Sequence, residues 1–80
     1  MITVTVEYYA ELREQAAKDT EVLKLEHSDA TRLYTDLKQQ YQFHSEWQKL
    51  RLAVNHELVN WDLSLVDGDV VVFIPKVAGG

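Results

Sequence analysis

Ile2, Val4, Val6 and Tyr8 alternate with Thr3, Thr5 and Glu7 at the head of the chain. A period of two, rich in β-branched residues, predicts a strand with one face buried. Positions 10–18 are strong helix formers, with Leu12 and Ala16 one turn apart and Glu14 placed to support Lys18, so a short helix is expected directly after that strand. Positions 21–25, Glu-Val-Leu-Lys-Leu, suit a second strand. It ends near His27, Ser28 and Asp29, where Ser or Asp can cap the next helix, because a side-chain oxygen there accepts the free N–H groups of the first turn. From Ala30 the apolar Leu33, Leu37 and Tyr41 recur at helical spacing, while Arg32, Asp36, Lys38 and Gln39 take the wet side. This is the principal amphipathic helix.

Positions 42–49 are polar apart from Phe43 and Trp47 and read as a loop or a short helical turn. Positions 50–54 and 58–60 are short strand candidates around the turn-like Asn55-His56-Glu57, which predicts a hairpin. Asp67-Gly68-Asp69 is a second turn signal, and it launches Val70-Val71-Val72-Phe73-Ile74. A strand apolar on both faces belongs in the middle of a sheet. The series of elements predicts an α+β fold, a mixed sheet with one main helix packed across it. If the first and last strands are both central they can lie side by side and parallel, and the chain then leaves the sheet from its middle.

Composition narrows the partners. Eighty residues make one small domain, 1–80, which buries on folding roughly 60% of the surface of its unfolded chain. With 3 Gly and 1 Pro there is no linker, repeat or low-complexity stretch to divide it. Thirteen acidic residues against 8 basic ones give a net charge of -5, with the Lys and Arg scattered. Such a surface repels a nucleic-acid backbone and is attracted to a basic protein partner. The N-terminus lacks the basic and long apolar regions of a signal peptide and no apolar run approaches spanning length, so a cytoplasmic protein with no membrane partner is expected. The absence of cysteine removes disulfide, zinc-thiolate and cysteine-nucleophile chemistry.

The remaining feature is the tail. After the last strand come Pro75, Lys76, Val77 and Ala78, then Gly79-Gly80. Glycine has no Cβ to block close approach, so two in succession suit an arm that threads a narrow slot, its tip mobile and its base anchored on the most buried strand. The candidate reactive group is then the carboxylate of Gly80, not a side chain. Of the adjacent Phe73 and Ile74, alternation forbids both from entering one core, so one of them is expected to face a partner.

Two stretches resemble the β-grasp sulfur carriers, the group that includes the small subunits of molybdopterin synthase. They are Tyr8-Tyr9-Ala10-Glu11-Leu12-Arg13-Glu14, and the series of landmarks Leu52-Ala53-Val54-Asn55, Asp67-Gly68-Asp69 and Gly79-Gly80. Together they frame nearly the whole chain, with the weakest likeness between Asp19 and Lys49. The chain departs from the pattern at Phe73-Ile74 and Pro75-Lys76, where two aromatics and a second proline are common in that group.

The resemblance implies a β-grasp (ubiquitin-like) fold and a carrier, not an enzyme in its own right. It implies that an ATP-dependent, E1-like adenylating partner activates Gly80, and that a sulfur donor protein converts the acyl-adenylate to a thiocarboxylate. The tail would then enter the large catalytic subunit of molybdopterin synthase, where the sulfur passes to a pterin precursor. A terminal carboxylate, with a reference pKa of roughly 3.3 to 3.7, is ionised and a poor electrophile at neutral pH, so activation is required. The chain has no phosphate-binding glycine loop, so ATP is expected on the partner and no cofactor is expected to be held stably here. Partner contacts are expected at Phe73, Ile74, Pro75, Lys76, Val77, Ala78 and Gly79. A ubiquitin-like modifier and a carrier of another pathway, such as thiamin synthesis, use the same tail. The helical stretch 10–18 disfavours the thiamin carriers, which resemble a shorter chain with a tight first hairpin.

Other residue types offer little. His27, His44 and His56 lack ligand spacing, so no metal site is expected. Asp67-Gly68-Asp69 lacks the further ligands of a calcium loop and a turn explains it. Trp47 and Trp61 are read as core or edge packing.

Overall fold

The alternating head of the chain forms strand β1 (Ile2–Glu7), with Val4 and Val6 buried. A computed structural model describes residues 1–76. Helix α1 (Ala10–Ala16) follows β1 and buries Leu12 and Ala16. It ends two residues earlier than its composition suggests, because Ala17 turns into the left-handed region (φ 59) and returns its N–H to the Arg13 carbonyl. Strand β2 (Thr20–Leu25) runs antiparallel to β1, with Val4 opposite Leu23.

Helix α2 (Ala30–Tyr41) starts at Asp29, whose side chain accepts the N–H groups of Thr31 and Arg32 at 2.9 and 3.3 Å. It buries Ala30, Leu33, Tyr34 and Leu37 against the sheet. A short 3-10 turn, Trp47–Lys49, leads into strand β3 (Leu50–Val54). The hairpin to β4 (Glu57–Val59) is tighter than the sequence suggests. Asn55 and His56 are both left-handed (φ 53 and 71), so two residues suffice for the turn, and Glu57 is already paired with Val54.

Strand β5 (Val70–Pro75) lies at the centre of a five-stranded sheet of order β2-β1-β5-β3-β4. It is parallel to β1 and antiparallel to β3, as a strand apolar on both faces allows. Its odd residues Val71 and Phe73 point into the core beneath α2, where Tyr34 meets Phe73 edge-on at 5.0 Å and Trp61 stacks on Phe73 at 5.8 Å. Trp61 donates its ring N–H to the Leu50 carbonyl and lies 5.3 Å from Trp47, so both tryptophans pack at the border of the core.

The crossover into β5 is fixed by side chains. Gly68 adopts φ +91, which favours glycine, and its N–H reaches the Thr3 carbonyl at 2.7 Å. Asp67 accepts the Thr3 N–H at 2.7 Å. Asp69 is a buried carboxylate, 5% exposed, that accepts from the Val66 N–H at 2.8 Å and the Asn55 amide at 2.9 Å. Asn55 in turn accepts the Val70 N–H at 2.9 Å. The Asn and Asp-Gly-Asp landmarks of the sequence are therefore two halves of one clasp at the head of β5.

Candidate functional site

Helix α2 covers one face of the sheet and leaves the other open. In register across that open face run Thr20, Glu7, Val72, Ala53 and Leu58, one residue from each strand. Val72 and Ala53 are nearly buried without any helix above them, screened by the side chains around them. The outer surface of the patch is Tyr9 (54% exposed), Leu58 (58%) and Ile74 (37%). Between these side chains and Pro75 lies a shallow groove of about 420 Å³, also lined by Glu7 and His56. Exposed apolar side chains clustered in this way make the face a candidate interaction site.

Glu7 is the carboxylate of this apolar surface, and the Tyr9 hydroxyl donates to its Oε1 at 3.0 Å. That hydrogen bond, and the negative charge behind it, hold the Tyr9 phenol above its ordinary pKa.

Alternation along β5 answers how the Phe73-Ile74 pair divides. Phe73 is 1% exposed and fills the core, so the partner contact expected of it is corrected: opposite Leu52 in register, its ring is spent on Tyr34 and Trp61. Ile74 faces outward on the open face. Pro75, expected to begin the tail, is instead the last residue of β5, paired with Leu50. Proline is tolerated because the next residue makes the ladder bond, Lys76 N–H to the Lys49 carbonyl at 3.2 Å, leaving Pro75 at a position whose nitrogen points away from β3. The Lys76 ammonium folds back onto the Gln48 carbonyl at 2.9 Å, so the strand end is fastened to the 3-10 turn twice. Pro75 and Lys76 thus belong to the base and not to a free arm. Val77, Ala78, Gly79 and Gly80 lie outside the described residues.

A second polar cluster joins β1, β2 and α2. Glu21, its side chain 14% exposed, accepts from the Tyr8 hydroxyl at 2.8 Å and from the Tyr41 hydroxyl at 2.7 and 2.8 Å, with Lys18 at 3.5 Å. Burial pushes the Glu21 pKa up, but the two hydroxyl donors and Lys18 outweigh it and hold the carboxyl below its ordinary range. Burial, then Glu21, drives the Tyr8 phenol well above its ordinary value. Tyr34, whose hydroxyl donates to the Ser45 carbonyl at 2.7 Å, is pushed up to about 12 by burial and by the charges of Glu46 and Glu11. These are inward-facing structural hydroxyls away from the groove. The histidines are dispersed: His27 accepts the Asp29 N–H, His44 neighbours Glu11, and His56 sits in the β3–β4 turn. Among the described residues no group of three metal-ligating side chains is gathered, and no helix is long and apolar enough to cross a membrane.

A mixed sheet of this order, crossed by one helix and carrying an apolar open face, defines a ubiquitin-like β-grasp protein. The model of the ThiS family matches residues 6–80, and the chain belongs to that family. It is 38% identical, over 100% of both chains, to the molybdopterin synthase sulfur carrier subunit of Mycobacterium tuberculosis. Among solved structures it resembles a molybdopterin converting factor subunit 1 from Pyrococcus furiosus, with a TM-score of 0.79 and 30% identity over 96% of this chain and 100% of that one. It also shares its fold with a chain of the complex of subunits 1 and 2 of the molybdopterin-converting factor from Helicobacter pylori, with a TM-score of 0.64 and 23% identity over 99% and 100%.

Proposed function

We propose that the carboxylate of Gly80 is the working group of this sulfur carrier. In that reading an ATP-dependent partner joins the Gly80 carboxylate to AMP, releasing pyrophosphate, and a sulfur donor then displaces AMP to leave a thiocarboxylate. The large subunit of molybdopterin synthase would supply the catalytic residues and pass the sulfur to the pterin precursor. This chain would contribute a surface and an arm, and ATP would be held by the activating partner.

The single observation that carries the reading is the continuity of β5. One strand is gripped at its head by Asn55 and Asp69, lies beside the apolar groove through Val72 and Ile74, and is fastened at its end through Lys76. A partner seated on the groove is thereby at a fixed distance from the point where residues 77–80 begin. Four residues span at most about 14 Å, so that point must lie close to the partner's reactive centre.

The test is the intact mass of the chain after incubation with ATP, an adenylating partner and a sulfur donor. Replacement of one terminal oxygen by sulfur, absent when Gly80 is deleted, is expected. No change, with partners active on another carrier, refutes the reading for those partners. Higher-mass conjugates would favour the modifier alternative.

A further inference from the structure

We infer that Glu7, presented by β1 and oriented by the Tyr9 hydroxyl, is a specificity-determining anion of the open face, and that the protein docking there meets it with an arginine or lysine. The inference rests on the proposed docking of the molybdopterin synthase large subunit at this face and adds the chemistry that selects it.

Glu7 is half-buried at the end of β1, between Thr20 and Val72 in register. The other groove-lining side chains are Tyr9, Ala53, Leu58, Val72, Ile74, Pro75, His56 and the underlying Phe73, so among the described residues no other carboxylate lines it. Among the described residues the ion pairs are Arg13–Asp19, Lys18–Glu21 and Lys38–Glu46, His44 lies 3.5 Å from Glu11, and Glu7 takes part in none of these contacts. The Tyr9 hydroxyl engages Oε1 and leaves Oε2 for an occupant.

In the free protein water solvates this carboxylate. When an apolar surface covers the groove that water leaves, and an anion stranded there without a counter-charge would oppose binding strongly. An occupant that brings a cation to Oε2 converts the opposition into attraction, while an equally apolar surface without one is rejected. Arginine fits best, because its planar donors can bond Oε2 while its stem packs on Tyr9 and Val72. The net charge of -5 draws the same class of partner from a distance.

The test is titration of the wild type, Glu7→Gln, Glu7→Lys and Tyr9→Phe with the large subunit of molybdopterin synthase from the same organism, at low and high salt, with melting curves for each variant. Wild type is expected to bind, Glu7→Gln to bind roughly tenfold to thirtyfold more weakly with a flatter salt dependence, and Glu7→Lys more weakly still. Tyr9→Phe, which keeps the ring and removes the hydroxyl, is expected to lose roughly twofold to fivefold, and it carries the test if a Glu7 variant fails to fold. Changing the partner's cation nearest the groove to glutamate should restore binding to Glu7→Lys. If wild type does not bind, the docking reading falls and this inference with it. If wild type binds and neither the Glu7 variants nor Tyr9→Phe differ from it by more than twofold, the docking reading stands and the inference is overturned. Self-association of the chain through this face, abolished by Glu7→Gln, would also overturn it.

Discussion

Asn55→Ala tests whether the clasp at the head of β5 sets the strand. The asparagine makes two side-chain hydrogen bonds, to the Asp69 carboxylate and from the Val70 N–H, both at 2.9 Å. It also stands at φ 53, where a non-glycine residue other than Asn or Asp is strained by roughly 1–2 kcal/mol. A hydrogen bond to a charged group contributes about 1.5–3 kcal/mol and a neutral one about 1. Asn55 is exposed, so water recovers part of both, and Asp69 keeps its bond from the Val66 N–H. The expected net loss is about 2–3 kcal/mol. Against a total of roughly 4–12 kcal/mol for a chain of this length, that is a large share.

Urea unfolding followed by circular dichroism measures it, and Asn55→Gly separates the contributions. Glycine loses the same hydrogen bonds but relieves the left-handed backbone, so it should be more stable than the alanine variant by about 1 kcal/mol. Asn55→Asp keeps the backbone preference and sets a second carboxylate against Asp69. It should be destabilised at neutral pH and recover in acid, when one of the two carboxylates protonates. An alanine variant within about 0.5 kcal/mol of wild type, or one equal to the glycine variant, would refute the reasoning.

Ala17→Gly is expected to stabilise the protein by about 1 kcal/mol, because Ala17 closes α1 at φ 59 and glycine occupies that region without strain; thermal unfolding checks it. Glu21→Gln is expected to cost about 2 kcal/mol at neutral pH, since it turns the charge-assisted bonds from the Tyr8 and Tyr41 hydroxyls into neutral ones, puts an amide NH2 where one acceptor oxygen stood and removes the charge beside Lys18. The Glu21 pKa is lowered on folding, so its stabilisation is present above the ordinary value of 4.5 and is lost as pH falls through the folded value. Urea midpoints at neutral pH and in acid should therefore converge for wild type and Glu21→Gln, and a gap that does not change would refute this.

Much of the sheet is legible in the sequence because burial imposes periods. The alternation of β1 reports one covered face, and the unbroken apolar run of β5 reports a central strand. The same run conceals which of its residues enter the core. Phe73 and Ile74 are indistinguishable until the register with β3 places Phe73 opposite Leu52, and that pairing is a long-range property no local pattern carries. The end of α1 was obscured for a different reason. Ala17 is left-handed without being glycine, so composition gives no stop signal where the backbone turns. Asn55 and Asp67-Gly68-Asp69 stand out as turn formers, but not as mutual partners, because the bond between Asn55 and Asp69 spans 14 residues of chain. Glu7 gave no signal at all: on a strand it is an ordinary polar-face residue, and it becomes distinctive only when Val72, Leu58 and Tyr9 surround it.

The two faces of β5 explain how so small a domain can bind a partner without loosening its own core. Val71 and Phe73 hold the strand from beneath through α2, and their neighbours Val72 and Ile74 are presented above it by the same backbone. A one-residue slip would exchange the sets, burying Ile74 and exposing Phe73, and would move the base of the tail along the sheet. The clasp at Val70 and the ladder bond at Lys76 oppose that slip from opposite ends of the strand. Residues remote from the groove, Asn55 and Asp69 above all, therefore decide which side chains a partner meets, and the proposed delivery of Gly80 depends on hydrogen bonds made at the far end of the strand.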